Sequence, residues 1–443
     1  MTVRRTRVLP APPAVAVAAL PRSRPPAEGA LLLFWMGISA VPVLTGALAL
    51  LCVVGPLSTD MYLPAFPGMA GELGTDASGV QLTLTAFLVG MTLGHLVFGP
   101  LSDRYGRRWP LLAGAAVCAL ATAGCALAPS LEWLVAARFL AGFGGAAGVV
   151  ISRAVVSDVA AGAAAARLLA LLMTLSTIAP IVAPLAGGAI IERAGWRAVF
   201  WVLTVVAVLV AAAVVAGIPE SLPAERRLAG GFGAFARSVR EVVADRAYTG
   251  YTLSFTFGFG ALFCYIAGSP FLLQNVLGLS VGVSSVAFSG GALVAAVTGT
   301  VSARLVTRTG PEPLLRVGLW AMLSGCAALL VATVAGVLTV VVCLTLIAVV
   351  TAGIGLAFAN AAALAIGRVP RAAGTGSALL GTAQSALGAV VAPLVGLGGA
   401  DTAVPLFTGM TVCAVLALGA ARLAFRAAGG AGTAGPDAAV RAV

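Results

Sequence analysis

Three ionisable side chains stand alone inside long apolar runs: Asp60, Arg138 and His95. Each can do chemistry that its neighbours cannot. A carboxylate in hydrocarbon is costly unless it is protonated or paired, which makes a buried acid a functional candidate by default. Asp60 lies in Gly55-Pro-Leu-Ser-Thr-Asp60-Met-Tyr62-Leu-Pro64 and is the one acid of its run. It can load and unload a proton as its surroundings change; the competing reading is a carboxylate at the membrane mouth that caps a helix. Arg138, in Arg138-Phe-Leu-Ala141-Gly142-Phe-Gly144-Gly145, needs a partner. Asp60, or a proton relay that includes it, is the candidate, and bonding to helix-end carbonyls is the alternative. His95 is the only histidine. Histidine can change charge near physiological pH, but a neutral imidazole bonded to a neighbouring helix is the expected role.

Uncharged groups complete the list. A substrate cavity is expected to be lined by Tyr62, Gln81, His95, Tyr265, Phe271, Asn360 and Gln384, of which Gln81, Asn360 and Gln384 can act by hydrogen bonding. Tyr62, Tyr265, Phe271 and Phe288 offer flat faces to a substrate, against the ordinary reading of lipid-facing or core aromatics. The run with Pro180, Pro184, Gly187 and Gly188 combines residues that free carbonyls and bend a helix with residues that permit close approach. The seven cysteines all fall in apolar runs, none at metal-ligand spacing, and read as small buried residues without disulfides. No metal cluster, nucleophile triad or phosphate loop is visible, so neither a cofactor nor an enzyme activity is implied.

The elements that must hold these residues follow from composition. Of 443 residues 60% are hydrophobic and 9% charged, with a mean hydropathy of +1.07; about a quarter of a soluble chain is charged. A hydrocarbon core about 30 Å thick takes roughly 20 apolar residues per helical crossing. Apolar runs near 39–63, 80–101, 110–128, 132–152, 168–190 and 196–218 are followed by a polar stretch. Six more lie near 247–273, 283–305, 314–335, 337–366, 376–398 and 403–425. The fold class is therefore all-α, with 12 transmembrane helices in two six-helix bundles.

The net charge of +11 comes entirely from arginine. All but Arg138, Arg193 and Arg197 fall on one side of the predicted membrane, whereas 64–79 and 274–282 carry none. This asymmetry reads as the positive-inside bias rather than nucleic-acid binding, and puts both termini and the central linker in the cytoplasm of a cell with the chain in its plasma membrane. The expected division is a tail over 1–38, a bundle over 39–218, a linker over 219–246, a bundle over 247–426 and a tail over 427–443. The first tail, with Arg4, Arg5, Arg7, Arg22, Arg24 and many prolines, reads as disordered rather than as a signal peptide; Met36 just ahead of the first run suggests an alternative start. In the linker, Glu220, Glu225, Glu241 and Asp245 among arginines read as a solvated amphipathic connector.

The loop Gly99-Pro-Leu-Ser-Asp103-Arg104-Tyr-Gly106-Arg107-Arg108-Trp-Pro-Leu-Leu recurs about 204 positions later as Ser302-Ala-Arg-Leu-Val-Thr-Arg308-Thr-Gly310-Pro-Glu-Pro-Leu-Leu. It occupies the same place in each six-helix half, as duplicated transporter halves require. Gly99 is expected to allow close helix approach, Gly106 to make the turn, and Asp103 to meet Arg104, Arg107 or a helix N-terminus.

Gly99–Arg108 resembles the loop signature of major facilitator transporters. The run through Asp60 resembles helix 1 of the bicyclomycin and chloramphenicol efflux branch. Arg138–Gly145 is similar to the family's fourth-helix pattern, with Ala141 where glutamine is usual; Pro180–Gly188 resembles its antiporter motif. Phe263–Phe271 and Gly374–Gln384 resemble the same branch, so the likeness spans about 43–425. It implies a monomer that exchanges protons for small amphipathic drugs across the lipid bilayer. It also implies that Arg138 controls a proton site at Asp60, and that Gly99, Asp103, Arg104, Gly106, Arg107 and Arg108 gate the cytoplasmic side by locking the two halves together. A metabolite symporter or facilitator of the same fold is the alternative.

Overall fold

Long uninterrupted apolar segments have no water with which to satisfy their backbone, so they form helices whose hydrogen bonds are internal. The computed structural model describes residues 37–160, 162–218, 220–223, 225 and 232–432. Most of the first tail, Arg226, Arg227 and the residues from 433 onward lie outside them. Among the described residues there is no strand.

The first half comprises α1 (Gly37–Asp60), α2 (Phe66–Glu72), α3 (Ala77–Tyr105), α4 (Arg108–Ala126), α5 (Leu131–Val159) and α6 (Gly162–Gly217). A 3-10 turn, Leu63–Ala65, joins α1 to α2 inside the first crossing. The 56 residues of α6 would measure roughly 80 Å if straight, more than two membrane thicknesses. Gly195, at φ 74°, breaks it into two crossings, which restores the expected twelve. A linker helix, α7 (Phe232–Ala244), precedes α8 (Arg246–Phe271), α9 (Val281–Thr309), α10 (Pro311–Val334), α11 (Val340–Arg368), α12 (Ala373–Gly396) and α13 (Val404–Gly432).

The halves repeat one another. α3 packs on α5 as α9 packs on α11, and α1 packs on α6 as α8 packs on α13. The α4–α5 crossing is so tight that a Cβ on Gly144 would stand 2.5 Å from the Gly114 carbonyl; a Cβ on Gly353 would stand 2.5 Å from that of Gly318, at the α10–α11 crossing. Small residues let membrane helices approach in this way.

The bundles meet along two seams, α3 with α12 and α6 with α9. Among the described residues, every side-chain hydrogen bond between bundles lies toward one end. Ser78 donates to Pro393 O, Gln81 to Ala267 O, Thr85 to Ala389 O and Gln274 to Pro64 O, and Gly282 N donates to Glu192. This far end lies opposite the loops that hold Arg104–Arg108 and Arg304–Arg316. Arg197, an exception to the charge asymmetry, is paired there with Glu72 and lies over Trp196 at 4.2 Å.

The linker is less solvated than expected. Asp245 caps α8 by accepting from Tyr248 N and bridges to Arg368 at 3.3 Å. Ser238 of α7 lies 3.0 Å from Thr375 of α12.

Candidate functional site

Helix α1 ends where Pro64 and the 3-10 turn interrupt it, and Asp60 is its last residue. Twelve residues of the same crossing follow Asp60, which is 6% exposed. It therefore lies inside the packed body of the protein rather than at an exposed helix end. Among the described residues no salt bridge reaches it.

Arg138 does not pair with Asp60. Its Nη2 donates to the carbonyl of Ser58 at 3.0 Å, in the last turn of α1, where carbonyls lack intrahelical donors. Its guanidinium is sandwiched 4.3 Å from the Tyr62 ring and 4.2 Å from the Phe87 ring, with Phe200 at 5.8 Å. Tyr62 is held in turn by its hydroxyl, 3.2 Å from Thr83 Oγ1. The arginine is 1% exposed, and its Nε has no partner. The physical reason is geometric: a flat cation between two aromatic faces gains from their quadrupoles without a carboxylate. Asp60 is thus left buried without the arginine as its partner.

Next to this site, Pro180, Pro184, Gly187 and Gly188 lie on the first arm of α6. The two glycines bind three elements together. A Cβ on Gly187 would collide with the Met61 carbonyl of the break after α1, and one on Gly188 would stand 2.9 Å from Ser285 Cβ of α9.

Of the seven residues read as cavity lining, five are engaged elsewhere in this conformation. Gln81, 1% exposed, and Phe271, whose ring centroid is 6.3 Å from that of Phe66, belong to the closed far end. Tyr62 serves the arginine. Tyr265 stacks on Phe288 at 5.4 Å inside the second bundle. Asn360 donates to Ser302 Oγ at 2.8 Å and to Leu356 O at 2.7 Å, which ties α11 to α9. The remaining two, His95 and Gln384, are half-buried. Gln384 is one turn nearer the arginine-rich end than Gly388, which meets Leu88, and His95 is two turns beyond Leu88 on α3. Both sit where the seam hydrogen bonds have ended. The expected bond from His95 to a neighbouring helix is not made by its buried Nε2.

The arginine-rich loop is also corrected. Gly106 makes the turn at φ 92°. Gly99, however, is not a close-approach point: a Cβ there would meet Val150 at an ordinary 3.9 Å, whereas Gly94, five residues earlier, stands tight against α5. Asp103 meets Arg107 at 2.5 Å, and Arg107 reaches Asp158 at 3.0 Å and Ser102 at 2.9 Å. Glu220 accepts from the backbone N–H groups of Arg107 and Arg108 at 2.8 and 3.3 Å, the anion at a helix N-terminus that the dipole favours. Arg108 Nη2 donates to Val215 O, and Arg104 lies 5.4 Å from the Tyr105 ring. Apart from Glu220, which opens the linker, these partners belong to the first half and none belongs to the second, so here the motif braces one bundle and does not lock two. Asp158, an acid in the last turn of α5, is not singled out in the sequence, and Glu220, expected in a solvated connector, is bound to the helix start instead.

Residues 48–393 match the family model described as Major Facilitator Superfamily. The chain belongs to that superfamily. It is a multi-pass membrane transporter, similar at 39% identity over 372 residues to an uncharacterized MFS-type transporter, YdgK, of Bacillus subtilis; the match covers 83% of this chain and 92% of that one. A bicyclomycin resistance protein homolog of Haemophilus influenzae is 31% identical over 380 residues, covering 84% and 93%. Among solved structures, a bacterial homolog to the human lysosomal transporter Spinster, in an inward-facing and unoccupied conformation, superposes with a TM-score of 0.73 at 17% identity, over 88% of this chain and 97% of that one. That likeness concerns the fold.

Proposed function

We propose that this transporter exports small amphipathic compounds of the amphenicol or bicyclomycin kind in exchange for protons. The observation that carries the reading is Asp60: a buried carboxyl at a helix break, not bridged to Arg138. A carboxylate so placed is tolerated when it carries a proton. The resistance-protein homolog supports the substrate class, and the arginine asymmetry supports cytoplasmic termini and a cytoplasmic linker.

In this reading the halves 39–218 and 247–426 rock about a midplane cavity in a monomer. With the far end shut, substrate enters from the arginine-rich, cytoplasmic side or the inner leaflet. After reorientation a proton from outside neutralises Asp60 and helps release the substrate; loss of that proton inward resets the carrier. Coupling requires that proton and substrate favour different states. Arg138 holds the end of α1, so that Asp60 and the break after it move as one piece.

The test uses purified protein in liposomes with an internal pH dye. Under an imposed proton gradient, chloramphenicol or another amphipathic antibiotic is expected to trigger proton movement, and Asp60→Asn to abolish it. Antibiotic resistance at full strength in cells making normal amounts of Asp60→Asn would sink the role of Asp60. Gradient-driven uptake of an ordinary metabolite, with no response to antibiotics, would replace the export reading.

A further inference from the structure

The α3–α12 seam is closed by side chains that reach for backbone carbonyls, and two of these carbonyls are left free by their own helix. Proline has no N–H, so the carbonyl four residues before it loses its helical donor. In α12, Pro393 leaves Ala389 O in this state, and Thr85 Oγ1 of the opposite bundle donates to it at 3.0 Å. Pro393 O lies in the last turn of α12, where carbonyls have no intrahelical partner. Leu397 N turns instead to Leu394 O, and Ser78 Oγ donates to Pro393 O at 3.0 Å. The pattern extends to α8. There Pro270 frees Ile266 O, which Ser269 Oγ takes up at 3.2 Å, and Gln81 Nε2 donates to the next carbonyl, Ala267 O, at 3.0 Å.

Ser78, Gln81 and Thr85 are three and four residues apart and so form one stripe on α3. Glycines bring the partner helix within reach: a Cβ on Gly396 would stand 2.6 Å from Ser78 N.

We propose that this stripe is the latch that holds the far end shut, with Pro393 there to present an unfilled carbonyl to Thr85. Opening that end strips Ala389 O and Pro393 O of their donors, and water must enter the seam to replace them. The latch is neutral on both sides, so its strength does not depend on salt, unlike a gate made of exposed ion pairs. The proposal rests on the transporter reading only in requiring that the bundles part at this end.

The experiment reads distance rather than transport, so its outcome is separable from the identity of the substrate. Spin labels at Gly71→Cys and Asp401→Cys, on exposed far-end surface, report opening by electron–electron resonance in the full-length protein in liposomes. Thr85→Val is expected to raise the ratio of wide to narrow distances about fivefold, the size of one lost hydrogen bond, and Thr85→Ser to leave it unchanged. Pro393→Ala returns an N–H to Ala389 and raises the ratio about twofold; in that background Thr85→Val adds less than twofold. An unchanged ratio in Thr85→Val, or the same fivefold rise in both backgrounds, overturns the latch, the second by reducing Thr85 to ordinary packing. If Thr85→Val does not fold, Pro393→Ala alone decides: no shift refutes the proposal.

Discussion

Where α3 turns into α4, Arg107 is enclosed by Asp103, Ser102 and Asp158, and Glu220 covers the helix start. Where α9 turns into α10, 204 residues later, Gly310 makes the same turn at φ 77°, but the chemistry has gone. Thr307 stands where Asp103 would be and bonds Arg304 O of its own helix, and among the described residues the only ion pair there, Glu312–Arg316, is exposed at 4.0 Å. The interiors differ in the same way. The first bundle buries Asp60 and Arg138, whereas the second buries hydroxyls and an amide, such as Asn360 on Ser302. The duplicated halves thus keep one packing plan and two electrostatic ones. A buried charge needs partners that stay with it. Among the described residues the side-chain partners of Arg107 and Arg138 all lie in the first half, so the rocking proposed above would leave these contacts in place.

The comparison breaks most easily at Arg138. Arg138→Lys keeps the charge but loses the flat fork that bonds Ser58 O between two rings. The expected cost is about 3 kcal/mol, summed from a charged hydrogen bond and a desolvated cation–π contact, and transport is lost with it. A thermal melt of the detergent-purified variant would show it. Wild-type stability in Arg138→Lys would mean that charge alone matters, and would return Asp60 as the arginine's partner.

Much of the plan was legible beforehand because it depends on quantities a sequence displays. A crossing needs a run of apolar residues, so the spans near 80–101 and 283–305 reappear as α3 and α9, lengthened at both ends by residues that only packing could add. The repeat of Gly106 at Gly310 was visible because a turn with positive φ takes glycine. For Arg138 a helix-end carbonyl stood only as the alternative to Asp60, and which carbonyl was not visible, because a backbone carbonyl has no residue type. Nor were the faces of Gln81 and Asn360. In helices apolar all round, no stripe separates cavity from seam, and a polar residue serves either. The link from Thr85 to Ala389 joins positions 304 apart and shows only when α12 is laid against α3.

The shared half of the comparison is sharpened by a matched pair of glycine variants. A Cβ on Gly144 meets Gly114 O at 2.5 Å and Cys118 N at 2.6 Å; one on Gly353 meets Gly318 O at 2.5 Å and Met322 N at 2.8 Å. These are backbone atoms, which cannot turn aside as a side chain can. Gly144→Ala and Gly353→Ala should therefore cost about 2 kcal/mol each, and nearly equally. Melting temperatures that differ widely would show that the halves do not carry equal packing loads.

The divergent half predicts the smallest effects and their order. Asp158 holds the Arg107 guanidinium in a largely buried network, with side-chain exposures of 19% and 10% for the two partners. Asp158→Asn should destabilise the protein by about 1 kcal/mol, the scale of a charge-assisted hydrogen bond partly screened by water. Glu312 and Arg316 are 47% and 58% exposed, and a surface pair on one helix contributes about 0.3 kcal/mol. Glu312→Gln should lie within the error of a melt, and raising the salt concentration should remove what remains. The order matters more than either value. If Glu312→Gln proved the costlier change, the second loop would carry a partner that this conformation does not present, and the motif's absence there would no longer mark a loop without a structural load.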